Sequence, residues 1–290
     1  MSKNLIEKGN LPSPLLLYNR TAQRALDFAS QFGPNEALAV PSIAQGVSLA
    51  DIIFIMLSDD TAVTSTLEEI LTQDVTGKLI IDCSTIHPST TEKLAEAATT
   101  QGAEFLTAPV FGAPAAADTG QLIAVLAGPK ATVGRAQPFF KGVTSRSEID
   151  MSDEPRGKAL TLKLIGNSFI LNMVEQLAEG HVLAEKSGLG NGYLHQFVES
   201  LFPGPCAAYS TRMLSGDYYK REEPLFAVDL ARKDARHIIS LAEASGTKVH
   251  NVETADAHLA KLKEYAGAKG DIAGIYGAVR LEAGLGYEKD

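Results

Sequence analysis

The chain has 290 residues, enough for one large domain or two of ordinary size, and its 45% hydrophobic content can supply a sizeable core. A formal net charge of −9 argues against nucleic acid or an anionic membrane surface as the main partner. No apolar run approaches the roughly 18 residues that span a bilayer. With only Cys83 and Cys206 and no apolar leader, the sequence predicts a cytoplasmic protein without disulfides.

The first residues, MSKNLIEKG, are typical of the end of a helix, with Gly9 at its C-cap. A short apolar strand over 15–19 follows and ends in Asn-Arg. A helix that leads into a strand is half of a nucleotide-binding βαβ unit, and the other half would precede Met1. We therefore expect a Rossmann-like fold that lacks its first strand and its glycine-rich loop.

Short apolar strands alternate with helical stretches up to about residue 150. Continuous apolar runs such as IIFIML are typical of strands buried on both faces, so we expect a doubly wound, mainly parallel α/β sheet. The clearest helix covers 88–102, where Ser89 and Glu92 have the spacing of a capping box. The predicted strands are 15–19, 37–40, 51–57, 78–82, 104–107, 122–128 and a weaker one near 143–147.

After residues 151–158 the strand pattern stops, and the rest of the chain is predicted to be all-helical. We therefore predict a dinucleotide-binding domain over 1–154 and a helical substrate and dimerisation domain over 155–290. The predicted helices are 158–190, ending at Gly188 or Gly190, and others near 191–200, 205–215, 226–245, 251–265 and 271–283.

Asn19, Arg20 and Thr21 follow a predicted strand at the sheet edge where a dinucleotide lies. An acidic residue there would accept a hydrogen bond from a ribose 2′-hydroxyl, whereas Arg20 can bind a 2′-phosphate bidentately. NADP is therefore favoured over NAD. The alternative is that Arg20 is a solvated residue at a helix start. Leu57 and Ser58 follow another strand, and their backbone could line the ribose of the cofactor.

Ser84 and Thr85 offer two hydroxyl groups after the strand 78–82, beside the expected nicotinamide. His87 invites a general-base interpretation, but its place before Pro88 favours an exposed loop histidine. Gly112 lies in the loop 108–114, whose backbone N–H groups could hold a substrate oxygen, with a structural turn as the alternative.

Lys163 and Asn167 stand at i and i+4 on the predicted long helix, so the amine and the amide share a face. A lysine in apolar surroundings can serve as a proton donor, although a snorkelling surface lysine fits the same spacing. Lys233 and Asp234 could reach the cofactor or be ordinary surface charges of a helix. Asp271 is predicted to cap the helix after it.

Taken together and in order, these stretches resemble the β-hydroxyacid dehydrogenase family, which includes 3-hydroxyisobutyrate dehydrogenases, the coenzyme domain of 6-phosphogluconate dehydrogenase and imine reductases. The resemblance covers nearly the whole chain. The stretches that carry it are MSKNLIEKG, NRT at 19–21, DCSTIHP at 82–88, APVFGAPAAADTGQLIAVLAG at 108–128, GKALTLKLIGN at 157–167 and FAVDLARKDARH at 226–237.

The resemblance implies hydride exchange between a nicotinamide and a small hydroxy acid, carbonyl or imine, in a dimer with intertwined helical domains. It places the catalytic lysine at Lys163 and a substrate-binding neighbour at Asn167. It also places Lys233 near the nicotinamide, and Thr85 and the Leu57–Ser58 backbone along the cofactor.

The sequence departs from the family pattern at Phe111, where hydroxy-acid enzymes carry Ser, and at Ala113, which replaces the second Gly. Phenylalanine cannot hydrogen-bond a carboxylate, so a bulkier or less acidic substrate is favoured. Two interpretations follow: an NADP-dependent oxidoreductase, or a catalytically weak or inactive relative that acts as a dimeric binding or scaffold protein. The intact Lys163, Asn167 and Lys233 favour the enzyme, and the absent glycine-rich loop favours the relative.

Overall fold

The computed structural model describes residues 1–289 and divides the chain into two compact units, Met1–Lys163 and a second unit that begins at Leu164. The first unit holds every strand. In chain order the strands are β1 (Leu15–Leu17), β2 (Ala37–Ala39), β3 (Ile52–Ile55), β4 (Leu79–Asp82), β5 (Glu104–Thr107), β6 (Val110–Phe111), β7 (Leu122–Gly128) and β8 (Ser145–Ser152).

The strands form two sheets. β1 and β2 make a two-stranded parallel sheet, and the other six make a sheet of order β3-β4-β5-β7-β6 in which β8 also pairs with β7. The pairs β3–β4, β4–β5 and β7–β8 are parallel, and β5–β7 and β6–β7 are antiparallel. The mainly parallel architecture is therefore confirmed, although the weak strand predicted near 143–147 is the long β8, and β6 was not predicted.

The apolar run of β4 explains why it lies inside the larger sheet, between β3 and β5. Ile80 packs into a cluster with Val63 and Leu94 from two helices on one face. Leu79 and Ile81 point the other way, into a second buried cluster. Alternate residues of one strand thus meet apolar side chains on both faces, as a doubly wound sheet requires.

Helices of the first unit connect these strands. The clearest of them ends at Thr100 rather than at residue 102. They are α1 (Ser2–Lys8), α2 (Ala22–Ala29), α3 (Ile43–Leu49), α4 (Asp60–Ile70), α5 (Pro88–Thr100), α6 (Pro114–Asp118) and α7 (Lys130–Ala136), followed by a 3₁₀ turn over Gln137–Phe139.

The predicted capping box at the start of α5 is wrong. The N-cap is His87, whose Nδ1 accepts from the Ser89 N–H at 3.2 Å. Glu92 instead accepts from the N–H of Gly157 at 2.7 Å, at the first residue of the next long helix. A carboxylate at that point satisfies one orphan donor and lies at the positive end of the helix dipole.

The second unit is all-helical, as predicted. The long helix α8 (Gly157–Lys186) begins in the first unit and continues into the second. It ends before residue 190, where Gly188 and Gly190 adopt positive φ angles of 77° and 88° that L-residues avoid. The remaining helices are α9 (Asn191–Leu201), α10 (Pro205–Ser215), α11 (Asp217–Lys220), α12 (Val228–Ala244), α13 (His250–Ala266) and α14 (Ile275–Glu282), with 3₁₀ turns over Gly267–Lys269 and Ile272–Gly274.

The core of the second unit is one cluster that includes Leu171, Val174, Leu259 and Tyr276. Asp271 caps the 3₁₀ turn Ile272–Gly274 that precedes α14, because its side chain accepts a hydrogen bond from the Ala273 N–H, as predicted.

Among residues 1–289, no helix combines the length and apolar character needed to cross a bilayer.

Replacing Glu92 with Ala should lower the free energy of unfolding by about 1 kcal/mol, because the Gly157 N–H loses a charged acceptor at a helix start. Chemical denaturation measures this. Glu96→Ala, at an exposed position of the same helix, is the matched control and should change stability little. Equal losses from the two variants would contradict the cap.

Candidate active site

The carboxyl ends of β3 and β4 are joined by a side-chain contact. The Leu57 N–H donates to the Ser84 Oγ at 2.9 Å, and Ser84 is buried. Parallel neighbours end at one edge of the sheet, so the hydroxyl of Ser84 and the half-buried Thr85 both lie at that edge. The Leu57 N–H is already engaged, but Ser84 can still donate its own hydroxyl hydrogen.

Cys83, between these two strand ends, is buried, and burial raises the pKa of its thiol far above the usual range. A thiol held in its neutral form is neither a nucleophile nor a metal ligand. Cys83 is therefore a packing residue.

His87 is not the exposed loop histidine that the sequence predicted. It is half-buried, its ring caps α5, and its own N–H donates to Asp60 Oδ1 at 2.9 Å. Asp59 is the N-cap of α4, and its side chain accepts a hydrogen bond from the Ala62 N–H. These contacts give both side chains a structural role at helix starts.

Asn19, Arg20 and Thr21 lie between β1 and α2, and all three are exposed. Asn19 Oδ1 accepts from the Thr21 N–H at 2.9 Å, which shapes the turn and leaves the Arg20 side chain at the surface. Ser58 is also exposed, and its hydroxyl donates to Asp59 at 2.7 Å. These residues present polar groups at strand ends.

Gly112 stands at a turn that only glycine fits. Its φ is +138°, and a Cβ there would lie 2.7 Å from Leu122 Cδ2. The turn follows Phe111, which pairs with Ile123 across β6 and β7. Apart from Gly112, every residue from 108 to 117 carries an apolar side chain, so any polar contact from this loop must come from its backbone.

Lys163, the last residue of the first unit, is only 9% exposed. Its Nζ lies 4.5 Å from the centroid of the Phe111 ring, within cation–π range. A snorkelling surface lysine would keep its ammonium in water, so that alternative is wrong. The structure brings Lys163 together with the Phe111–Gly112 turn.

In the second unit, Asn167 and Asp234 are 6% and 3% exposed. Asn167 Nδ2 donates to Asp234 Oδ2 at 2.6 Å, and Lys233 Nζ lies 3.3 Å from Asp234 Oδ1. The alternative that Lys233 and Asp234 are ordinary surface charges is therefore wrong. The structure gathers Asn167, Lys233 and Asp234 into one buried polar cluster.

The sequence left open whether Asp234 reaches the cofactor, and it did not predict the hydrogen bond that Asp234 accepts from Asn167. The signal was available in α12, whose inward face carries Ala231, Ala235 and Ile238. Asp234 shares that apolar face, and a carboxylate in such a position must be paired when it is buried. Among the described residues, no group of three or more His, Cys, Asp or Glu could hold a metal ion.

Residues 1–151 match the protein family described as the NAD binding domain of 6-phosphogluconate dehydrogenase. The chain is also 37% identical over 288 residues to NADH-dependent oxidoreductase ucdB of Aspergillus ustus. That alignment covers 99% of this chain and 97% of the relative.

Two solved structures share the fold. A 3-hydroxyisobutyrate dehydrogenase from Salmonella typhimurium superposes with a TM-score of 0.82 at 19% identity, over 95% of this chain and 94% of that chain. Psf3, solved in complex with NADP⁺ and 2-OPP, superposes with a TM-score of 0.80 at 20% identity over the same shares of the two chains.

Proposed function

We propose that this chain, an NAD(P)-dependent oxidoreductase that belongs to the β-hydroxyacid dehydrogenase family, exchanges a hydride between NADP(H) and a small hydroxy acid, carbonyl or imine, with Lys163 as the proton donor and acceptor. The observation that carries the proposal is the buried position of Lys163. An amine that is largely removed from water, and that lies beside a glycine turn, is suited to a proton transfer in a dry site.

The nicotinamide would supply or accept the hydride, and the residues of this chain would do the rest. Lys163 Nζ gives a proton to the substrate oxygen or nitrogen in reduction and takes it back in oxidation. In the first unit, Ser84 and the Gly112 backbone are the proposed substrate contacts. In the second unit we assign Asn167 to the substrate and Lys233 to the cofactor, both oriented by Asp234.

The strand ends of the first unit fit a dinucleotide. Asn19, Arg20 and Thr21 after β1, the Leu57–Ser58 segment after β3 and Thr85 after β4 place hydroxyl, backbone and guanidinium groups at carboxyl ends of parallel strands. Arg20 is exposed and can bind a 2′-phosphate bidentately, which supports NADP. The relative from Aspergillus ustus is named NADH-dependent, so the choice needs a direct test.

Arg20→Ala should weaken NADPH binding about 10-fold or more and leave NADH binding unchanged, because only NADPH carries the 2′-phosphate. Fluorescence titration of the wild type and the variant with both cofactors measures this. Arg24→Ala, at an exposed arginine in the first turn of α2, is the matched control. Equal wild-type affinities for the two cofactors would remove the basis for NADP.

Lys163→Met should lower kcat by about 10²–10⁴-fold, because the site loses its proton donor while its volume is kept. Cofactor affinity should stay nearly unchanged. Lys158→Met, at an exposed lysine of the same helix that pairs with Glu154, should leave kcat unaffected. Steady-state kinetics on a carbonyl or imine panel provides the measurement, and full activity in Lys163→Met would rule out its catalytic role.

We also propose that the chain is a homodimer, because the second unit exposes apolar side chains at helical spacing. Tyr193, Phe197 and Leu201 on α9 recur every fourth residue, and Phe169 on α8 is 73% exposed. Soluble monomers rarely leave large apolar side chains grouped in this way.

Sedimentation at micromolar concentration should give about twice the 30.8 kDa chain mass. Phe197→Glu should shift the protein toward the monomer, because a charge on the apolar face of α9 opposes burial. Glu243→Lys, an exposed charge reversal on α12, is the control and should leave the mass unchanged. A wild type that sediments as a monomer would contradict the dimer.

A second candidate is a dimeric binding or scaffold protein with little activity. It is favoured by the division of the strands, since within residues 1–289 β1 and β2 pair only with each other and the order of the larger sheet begins at β3. The cofactor titration separates the two, because a scaffold protein should bind neither NADPH nor NADH.

A further inference from the structure

We propose that Phe111 positions the catalytic lysine and selects the substrate. Its ring face holds the Lys163 ammonium, and with the apolar loop 108–117 it favours a carbonyl or imine whose neighbouring group is uncharged and apolar. The inference rests on the proposed role of Lys163, and the tests below distinguish its failure from that of the proposed function.

The Lys163 ammonium contacts the ring of Phe111. Lys163 Nζ lies 4.5 Å from the ring centroid, inside the roughly 6 Å over which a ring quadrupole attracts a cation. Lys163 is largely buried, so water screens this attraction little. Burial opposes the charged form of an amine, and the ring face favours it. The ring therefore helps to keep a proton on Nζ before the reaction.

The ring position is fixed by the backbone. Phe111 is paired with Ile123 of β7 and packs beside the buried Val125 and Ala159. The next residue is Gly112, whose turn admits no Cβ. A side chain anchored on both sides gives the ammonium a defined place, as a positioning residue must.

The substrate class follows from the chemistry of the loop. From residue 108 to residue 117 no side chain can donate a hydrogen bond, so a carboxylate placed against this wall would lose its hydration with no side-chain donor in return. An alkyl or aryl group placed against the same wall has no hydrogen bonds to water to lose, and its apolar surface is buried.

In the reducing direction, bound NAD(P)H would supply a hydride, with one of its C–H bonds breaking and the cofactor becoming oxidised to NAD(P)⁺. The hydride would form the new C–H bond at the carbonyl carbon as the C=O π pair moves to the oxygen. The oxygen then forms an O–H bond with the proton of Lys163, whose N–H bond breaks to leave a neutral amine. An imine follows the same course with nitrogen in place of oxygen.

The positioning role is tested in the cofactor-free protein by trace acetylation of Lys163 with acetic anhydride across a pH series, read by mass spectrometry against the exposed Lys158. In Phe111→Leu, which keeps an apolar side chain without a ring, half-maximal labelling should move about 0.5–1 pH unit lower. Phe111→Tyr keeps the ring and should label as the wild type does. Identical profiles for all three proteins would overturn the positioning role.

The selection of substrate is tested by protection of Lys163 from this label. The two test compounds are 4-phenylbutan-2-ol and 2-hydroxy-4-phenylbutanoate. They are the same alcohol except that the first carries a methyl group where the second carries a carboxylate. The neutral alcohol should protect wild-type Lys163 at a concentration about 10-fold lower or more, and Phe111→Ser should narrow that ratio. Stronger protection by the hydroxy acid, or protection by neither compound, would overturn the selection.

These measurements need no turnover, so they distinguish a failure of the roles proposed for Phe111 from a failure of the proposed oxidoreductase function. If the pH of half-maximal labelling falls in Phe111→Leu and the neutral alcohol protects Lys163 at the lower concentration, the proposed roles of Phe111 stand. If the matching ketone is then not reduced with either NADPH or NADH, the failure belongs to the proposed oxidoreductase function. If reduction proceeds but the labelling profiles coincide, the failure belongs to Phe111 alone.

Discussion

The candidate site depends on an ammonium group that has been taken out of water. Removing a charge from solvent is costly, and a protein tolerates it only where nearby groups compensate. At Lys163 one such group is the face of an aromatic ring, which attracts a cation without any hydrogen bond. The short strand that carries the ring and the glycine after it are therefore part of the chemistry, because they decide where the ring lies.

Much of the architecture could be predicted because buried strands and amphipathic helices follow simple patterns. The run around Ile80 identified a strand covered on both faces, and the structure confirms it. β6 escaped prediction because it is two residues long and lies between Pro109 and Gly112, which read as turn signals. The capping box failed because a local spacing cannot reveal that Glu92 serves the start of a helix 65 residues later.

For the site residues too, the sequence indicated which residues were candidates but not which partners they contact. Residue spacing identified Lys163 and Asn167 as candidates, because an amine and an amide shared one helix face. It did not show that Asn167 meets a buried carboxylate from another helix, since that pair is 67 positions apart in sequence. Nor did it show that the Leu57 N–H is taken up by Ser84. Local pattern gives the chemistry of a residue, and tertiary packing decides which neighbour it meets.

The burial of Cys83 has a practical consequence for spectroscopy. The chain has two cysteines, and the other, Cys206, is only partly buried, at the start of α10 in the second unit. A thiol-reactive fluorophore or spin label should therefore attach at one place in the unmodified sequence. Burial also raises the pKa of the Cys206 thiol, so mildly alkaline buffer would speed the coupling. The natural chain thus serves as a single-site reporter of its helical unit without any cysteine being removed.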